Sequence, residues 1–269
     1  MRWFKNGVRF LLVTVGIIVL TSFGIDASQY LTGSQSALGL LADRATEGGC
    51  PAGMSFIENG VEDYCIDTYE VAVGSSCPVK NPSHFSQSAE NILAASCVPE
   101  SIDGAVPWSN VTYHQAVELC AKAGKRLPNH SQWYQASLGV NESKCSIASN
   151  SIIASDKSSE CKSSAGVVNM VGNVWEWVAG DVVAGIYNNR TLPDTGYVLN
   201  ADSAGVAIET SADSQANFHN DYFWSQKEGV MAMMRGGFYG SGDDAGIYSI
   251  HADIELNFSG SAIGFRCVK

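Results

Sequence analysis

Eight cysteines, Cys50, Cys65, Cys77, Cys97, Cys120, Cys145, Cys161 and Cys267, are spread over the chain beyond an apolar N-terminus. An even count in an exported chain reads as a disulfide framework. No pair has the C-x-x-C spacing of a zinc knuckle, which makes metal binding by these thiols the weaker reading. Spacing alone leaves the connectivity open. Pairing sequence neighbours gives Cys50–Cys65, Cys77–Cys97 and Cys145–Cys161, and leaves Cys120 for Cys267.

Export is argued from the first 28 residues. Arg2, Lys5 and Arg9 precede an apolar run from Phe10 to Ile25. A positive start followed by such a run is the pattern of an export signal. Ile25 is a poor residue at −3 for cleavage after Ala27, which favours an uncleaved signal anchor over a signal peptide. The basic residues put the N-terminus in the cytoplasm and the remainder outside. The expected location is extracytoplasmic and anchored in the cell membrane, or secreted if the signal is cleaved. Residues 29–48 read as a stalk, and the domain is expected to span 49–269. The net charge of −11 argues against nucleic acid as a partner, because phosphate binding needs a basic face.

Asn59-Gly60 signals a hairpin between two short strand-like runs. The stretch from Gly74 to Pro107 reads as a loop rich in Ser, Pro and Cys. Two helices are expected. One follows Thr112, with Ala116, Val117, Cys120 and Ala123 at helical spacing and Gly124 at its end. The other is "NHSQWYQASLG", capped by Asn129 or Ser131. Trp108, Trp133, Trp175 and Trp177 are expected to fill the core, and Lys125 and Arg126 to tie a helix end to nearby acids. Helices among short strands and long loops make a mixed α+β fold.

In "NMVGNVWEWV", Asn169 to Val178, alternation puts Trp175 and Trp177 on one side and Glu176 on the other. With "GKRLPNHSQWYQA", "YCIDTYEVA" and the closing "RGG…IGFRC", this stretch resembles the formylglycine-generating, or sulfatase-modifying factor, family. The resemblance covers roughly Cys50 to Cys267. It implies an irregular C-type lectin-like fold: two helices, short antiparallel strands and long loops, stabilised by disulfides. It also implies a bridge matching Cys120–Cys267. Asn169 and Glu176 side chains, with the Gly172 and Val174 carbonyls, would by the same resemblance wrap a structural calcium ion. The alternative is that Asn169 and Glu176 only satisfy backbone donors in a tight loop.

The family's oxidase uses two cysteines to bind copper and activate oxygen. Counted from Gly237, those positions hold Ser241 and Gly246. A hydroxyl is a poor soft-metal ligand and glycine offers none, so no copper is expected. The five histidines, His84, His114, His130, His219 and His251, have no spacing that suggests a metal cluster.

From Phe238 to Ala262 the residue types, Glu255 excepted, can all be written with codons ending in a pyrimidine. Lys, Gln, Met and Trp are absent there. The segment "RGGFYGSGDDAGIYSI…IGFRC" resembles the variable region of target proteins of diversity-generating retroelements, which randomise template adenines. That resemblance implies a varied, exposed binding face. The expected face comprises Tyr239, Ser241, Asp243, Asp244, Tyr248, His251, Asp253 and Asn257, with a protein or glycan ligand at the cell surface. An ordinary surface loop on a degenerate member is the alternative for the segment. The alternative function is an oxidase acting on a cysteine of sulfatase-like substrates, against which the missing cysteine pair argues.

Overall fold

The computed structural model describes residues 49–58 and 62–269. The hairpin turn at Asn59-Gly60 and the N-terminal segments 1–28 and 29–48 lie outside them. Among the described residues no helix is long and apolar enough to cross a membrane. Residues 53–269 form one compact unit.

Strands β1 (Met54–Ile57) and β2 (Tyr64–Asp67) pair antiparallel. Beside them the chain end is pinned: the Cys65 amide donates to Lys269 O, and Ile66 bridges Val268. Three α-helices follow, not two. α1 (Phe85–Leu93) lies in the stretch expected to be loop. Its buried positions are Ser88, Asn91 and Ile92, so it has little apolar period to find. The polar pair has work inside the fold. Asn91 clasps the Val79 backbone, accepting from its N–H and donating to its carbonyl, both at 2.8 Å. Ser88 Oγ accepts from Trp108 Nε1 at 3.0 Å.

α2 (Tyr113–Lys122) opens on a capping box in which Thr112 and Gln115 satisfy each other's backbone amides. Its buried face is Ala116, Leu119 and Cys120, while Val117 is exposed. Lys122 at the helix end donates to Ile92 O and Ala94 O, tying α2 to the end of α1. α3 (His130–Ser137) is capped by Asn129 and Gln132 in the same way.

The remaining strands are β3 (Trp175–Val183), β4 (Ile186–Tyr187), β5 (Arg190–Thr191), β6 (Gly196–Ala201), β7 (Ala207–Ser211), β8 (Tyr222–Ser225), β9 (Val230–Arg235), β10 (Ile250–Glu255) and β11 (Ile263–Phe265). They form one nine-stranded sheet in the order β5-β4-β3-β9-β10-β8-β6-β7, with β11 beside β3. The expectation of antiparallel strands is corrected at two places: β10 pairs β8 in parallel, and β11 pairs β3 in parallel.

The middle of this sheet is buried on both faces. Met231 and Met233 of β9 join Val178 and Val182 of β3 in one core with Phe223, Ile250, Ala252 and Trp133. Ala232 and Met234 join Trp175 and Trp177 in a second core with Leu119, Ile92 and Phe265. Trp108, Trp133, Trp175 and Trp177 are all buried.

Disulfides Cys77–Cys97, Cys120–Cys267 and Cys145–Cys161 form as expected. Cys50 and Cys65 are disulfide-bonded as well, and no cysteine among the described residues is free. Such a set points to an oxidising compartment.

Candidate functional site

The frame motifs converge on one buried ion pair. Alternation in β3 turns Glu176 away from Trp175 and Trp177. Its carboxylate accepts from Arg266 Nε at 2.7 Å, Arg266 Nη2 at 2.6 Å and Trp133 Nε1 at 2.7 Å. Arg266 is fully buried and also donates to the carbonyls of Asp67, Val168 and Asn169. One guanidinium thus joins β2, the loop before β3, and the C-terminus. Lys125 pairs with buried Asp67 at 2.5 Å. Among the described residues Arg126 pairs with no acid; it donates to Gln132 Oε1 at 2.7 Å instead.

This arrangement bears on the calcium expectation. Asn169 Oδ1 is buried without a hydrogen-bond partner, which fits a role as a cation ligand. Glu176 does not fit, because both its oxygens already face a guanidinium. Gly172 and Val174 are buried, and the Gly172 amide donates to Gly236 O. With Glu176 engaged by Arg266, one of the four expected ligands is not free to face a calcium ion.

Glu70 lies in the same region. Its Oε2 accepts from Asn169 Nδ2 and Asn173 Nδ2, both at 2.9 Å, and its Oε1 is buried without a partner. Burial, and then the charge on Glu176, push its pKa from 4.5 to about 8, against the opposing pull of Arg266 and the two amides. A carboxyl whose folded pKa is raised contributes stability below its unfolded pKa and loses it as pH rises through the folded value. The urea midpoint of the wild type is therefore expected to fall between pH 4.5 and about 8 relative to Glu70→Gln, whose side chain cannot ionise. Parallel midpoints across that range would contradict this.

The segment between Gly237 and Ile263 contributes to several places rather than one. Ser241 Oγ accepts from the Phe238 amide at 3.0 Å, closing a tight turn. Asp243 and Asp244 share the 3-10 turn that follows, with Asp243 exposed. Tyr239 is half-buried and its ring meets Phe238 edge-on, at 5.1 Å. Asn257, beyond β10, is exposed, with Phe258 beside it. Tyr248 is turned toward the first core: its ring meets Phe218 at 5.0 Å and its hydroxyl meets that of Tyr134 at 3.0 Å.

Gly246 has no room for a side chain. A Cβ there would lie 2.0 Å from Asp221 Oδ1 and 2.3 Å from Oδ2. Asp221 is fully buried and cannot swing into solvent. Gly246→Ala is expected to lower stability by about 1–3 kcal/mol, as overpacking does; an unchanged urea midpoint would contradict the packing described.

His251 and Asp253 are brought together on the face of β10 opposite Ile250 and Ala252. His251 Nδ1 and Asp253 Oδ1 are 2.8 Å apart. The register places His251 opposite Trp224 of β8, and Tyr197 of β6 opposite Tyr222 of β8. The result is a continuous aromatic stripe across three strands. Tyr197 and Tyr222 meet edge-on at 4.9 Å, Tyr222 and Trp224 lie tilted by 51° at 4.7 Å, and Trp224 stacks on His251 at 4.1 Å and 11°. Trp175 closes its inner end, 4.8 Å from His251. All four residues from Tyr197 to His251 are partly buried, with the His251 side chain 21% exposed.

Sequence reasoning missed Tyr197, Tyr222 and Trp224. The alternation in "YFWS" and "GYVLNA" does place these three opposite the buried Phe223 and Val198. Their assembly depends on the parallel β8–β10 pairing, which no local pattern announces. A separate cleft of about 520 Å³ is lined by residues such as His130, Asp181, Tyr187 and Asp202, and by none of the expected site residues.

Residues 145–269 match the sulfatase-modifying factor enzyme 1-like domain. No curated protein matches the chain. Among solved structures, the Major Tropism Determinant P3c variant is similar at 18% identity and a TM-score of 0.45, over 81% of this chain and 52% of that one. The chain thus aligns with about half the length of that protein. Treponema denticola variable protein 1 is similar at 15% identity and a TM-score of 0.40, over 81% of this chain and 99% of that one. PvdO from Pseudomonas aeruginosa follows at 16% identity and 0.39, over 81% and 92%. The fold is the α+β one expected from the motifs, with a third helix and a mixed sheet. Residues 145–269, somewhat less than half of the chain, are thus similar to the sulfatase-modifying factor enzyme 1-like domain.

Proposed function

We propose that this chain is a non-catalytic binding protein, held at the cell surface by its N-terminal segment, whose ligand is a protein. The observation that carries this reading is the aromatic stripe Tyr197–Tyr222–Trp224–His251. Tyr and Trp offer large, rigid contact area at low entropic cost, and they are enriched at interface hot spots. The exposed groups of the closing segment, Asp243, Asn257 and Phe258, add adaptable polar and apolar contacts. Asp253 supplies a carboxylate at the rim of the stripe. The residue types of 238–262, all of which except Glu255 can be written with codons ending in a pyrimidine, support a segment diversified by a retroelement.

The oxidase reading has less support. Every cysteine among the described residues is in a disulfide. Ser241 is engaged in its turn, and Gly246 is walled in by Asp221, which leaves no space for a thiol there.

The test is a binding screen of the full chain against arrayed cell-surface proteins and glycans, repeated with Tyr222→Ala/Trp224→Ala. Protein partners are expected, with binding weakened at least about tenfold in the double variant if these rings act as hot spots. Partners bound equally by both forms, or glycans alone, would overturn the protein-ligand face. Copper-dependent oxidation of a cysteine peptide by the purified chain would overturn the absence of catalysis.

A further inference from the structure

We infer that Glu142, His219 and Asp221 form a binding site for one divalent transition-metal ion of the zinc class, at the base of the closing segment. The inference stands apart from the ligand-binding proposal, since none of the three residues lies in 238–262 or on the aromatic stripe.

Each residue offers one ligand atom, and the three atoms lie within 4.8 Å of one another. Tetrahedral zinc ligands at about 2.0–2.2 Å stand roughly 3.4 Å apart, so a small inward movement completes the set. His219 can make that movement. It follows the short 3-10 turn 216–218, and its side chain is 45% exposed. Its Nδ1 is already 2.8 Å from Glu142 Oε2.

The independent sign of a cation site is Asp221. Its side chain is fully buried, and its Oδ1 meets no donor at hydrogen-bond geometry. Oδ2 accepts from the Tyr248 amide at 2.6 Å, and the Ser249 amide lies near without a second well-formed bond. Burial first, and the neighbouring Glu142 second, push the Asp221 carboxyl well above its ordinary range. No lysine or arginine among the described residues donates to either carboxylate. Arg235, the nearby guanidinium, is turned to the carbonyls of Ala204, Gly205 and Ile247. Two neighbouring carboxylates and an imidazole, one oxygen of them buried and unsatisfied, are the donor set of a zinc-class ion. Calcium, which takes six to eight oxygens, is disfavoured by the nitrogen and by the small number of ligands.

The same carboxylates hold the closing segment by its backbone. Glu142 Oε1 accepts from the Ile247 amide at 3.2 Å, as Asp221 accepts from Tyr248. Backbone bonds do not depend on which side chain stands at 248. A metal bound here would fix the segment's path whatever residues it carries, with a fourth position open to water.

The experiment is calorimetric titration of the chelator-treated full chain with zinc chloride, with parallel melting curves. One zinc per chain is expected, together with a rise in Tm on saturation, as for any ligand that binds only the folded form. His219→Ala, a half-exposed side chain whose loss leaves the core intact, should weaken binding at least about tenfold, as should Asp221→Asn. His114→Ala, on the exposed face of α2, should change nothing. No zinc uptake, uptake unaltered in His219→Ala, or a preference for calcium over zinc would overturn the site.

Discussion

Glu176→Ala should leave the domain less stable by about 3–5 kcal/mol, the usual cost of removing one partner from a buried ion pair. The reason is the partner left behind. Arg266 is fully buried, and Glu176 is the carboxylate that receives its Nε and Nη2. Trp133 Nε1 loses its acceptor in the same step. For a domain of this size each kcal/mol moves Tm by roughly 2–4 °C, so a fall on the order of 10 °C is expected. Lys157→Ala, which breaks an exposed pair with Asp156, should cost about 0–1 kcal/mol. A small, equal effect from both substitutions in urea unfolding would contradict the central place given to Glu176 and Arg266.

Removal of the Cys120–Cys267 bridge should be the other large effect. It ties α2 to the C-terminus across a sequence separation of 147 residues. In the chain-entropy model, opening so long a loop costs about 4–5 kcal/mol. Cys145–Cys161 closes a loop with a separation of only 16, for which the same model gives about 3 kcal/mol. The double variant Cys120→Ala/Cys267→Ala should therefore unfold at clearly lower urea than Cys145→Ala/Cys161→Ala. The reverse order would mean that strain or residual denatured structure outweighs loop closure here.

The parts of the fold legible in the sequence are those written in local chemistry. Thr112 and Asn129 announce two helix starts because their side chains satisfy orphan amides. Bridges Cys77–Cys97 and Cys145–Cys161 match the pairing of sequence neighbours, and Cys120–Cys267 matches the bridge that the family resemblance implies. The side taken by Glu176 follows from strand alternation. The misses have physical reasons. α1 buries Ser88 and Asn91, whose role is to clasp the Val79 backbone and Trp108, so its sequence looks like a polar loop. β9 is buried on both faces, which erases alternation from "VMAMMR". The aromatic stripe waits on a parallel pairing between β8 and β10. The Glu142–His219 contact spans 77 residues, and no spacing rule reaches that far.

The closing segment was legible in a different way, through residue types rather than period. The structure adds that its residues serve unequal roles. Gly246 is fixed by Asp221 and Ser241 by its own turn, whereas Asp243, Asn257 and Phe258 face solvent. Variation is thus expected at the exposed positions and not at Gly246.

The most direct measurement is the DNA sequence flanking the gene. A diversified binding face requires a second, near-identical copy of the codons for Arg235–Arg266 beside a reverse transcriptase gene. The two copies should differ only where the template carries adenine, with the codons for Gly246 and Glu255 unchanged. Absence of any second copy, or differences scattered over all four bases, would contradict diversification of this face.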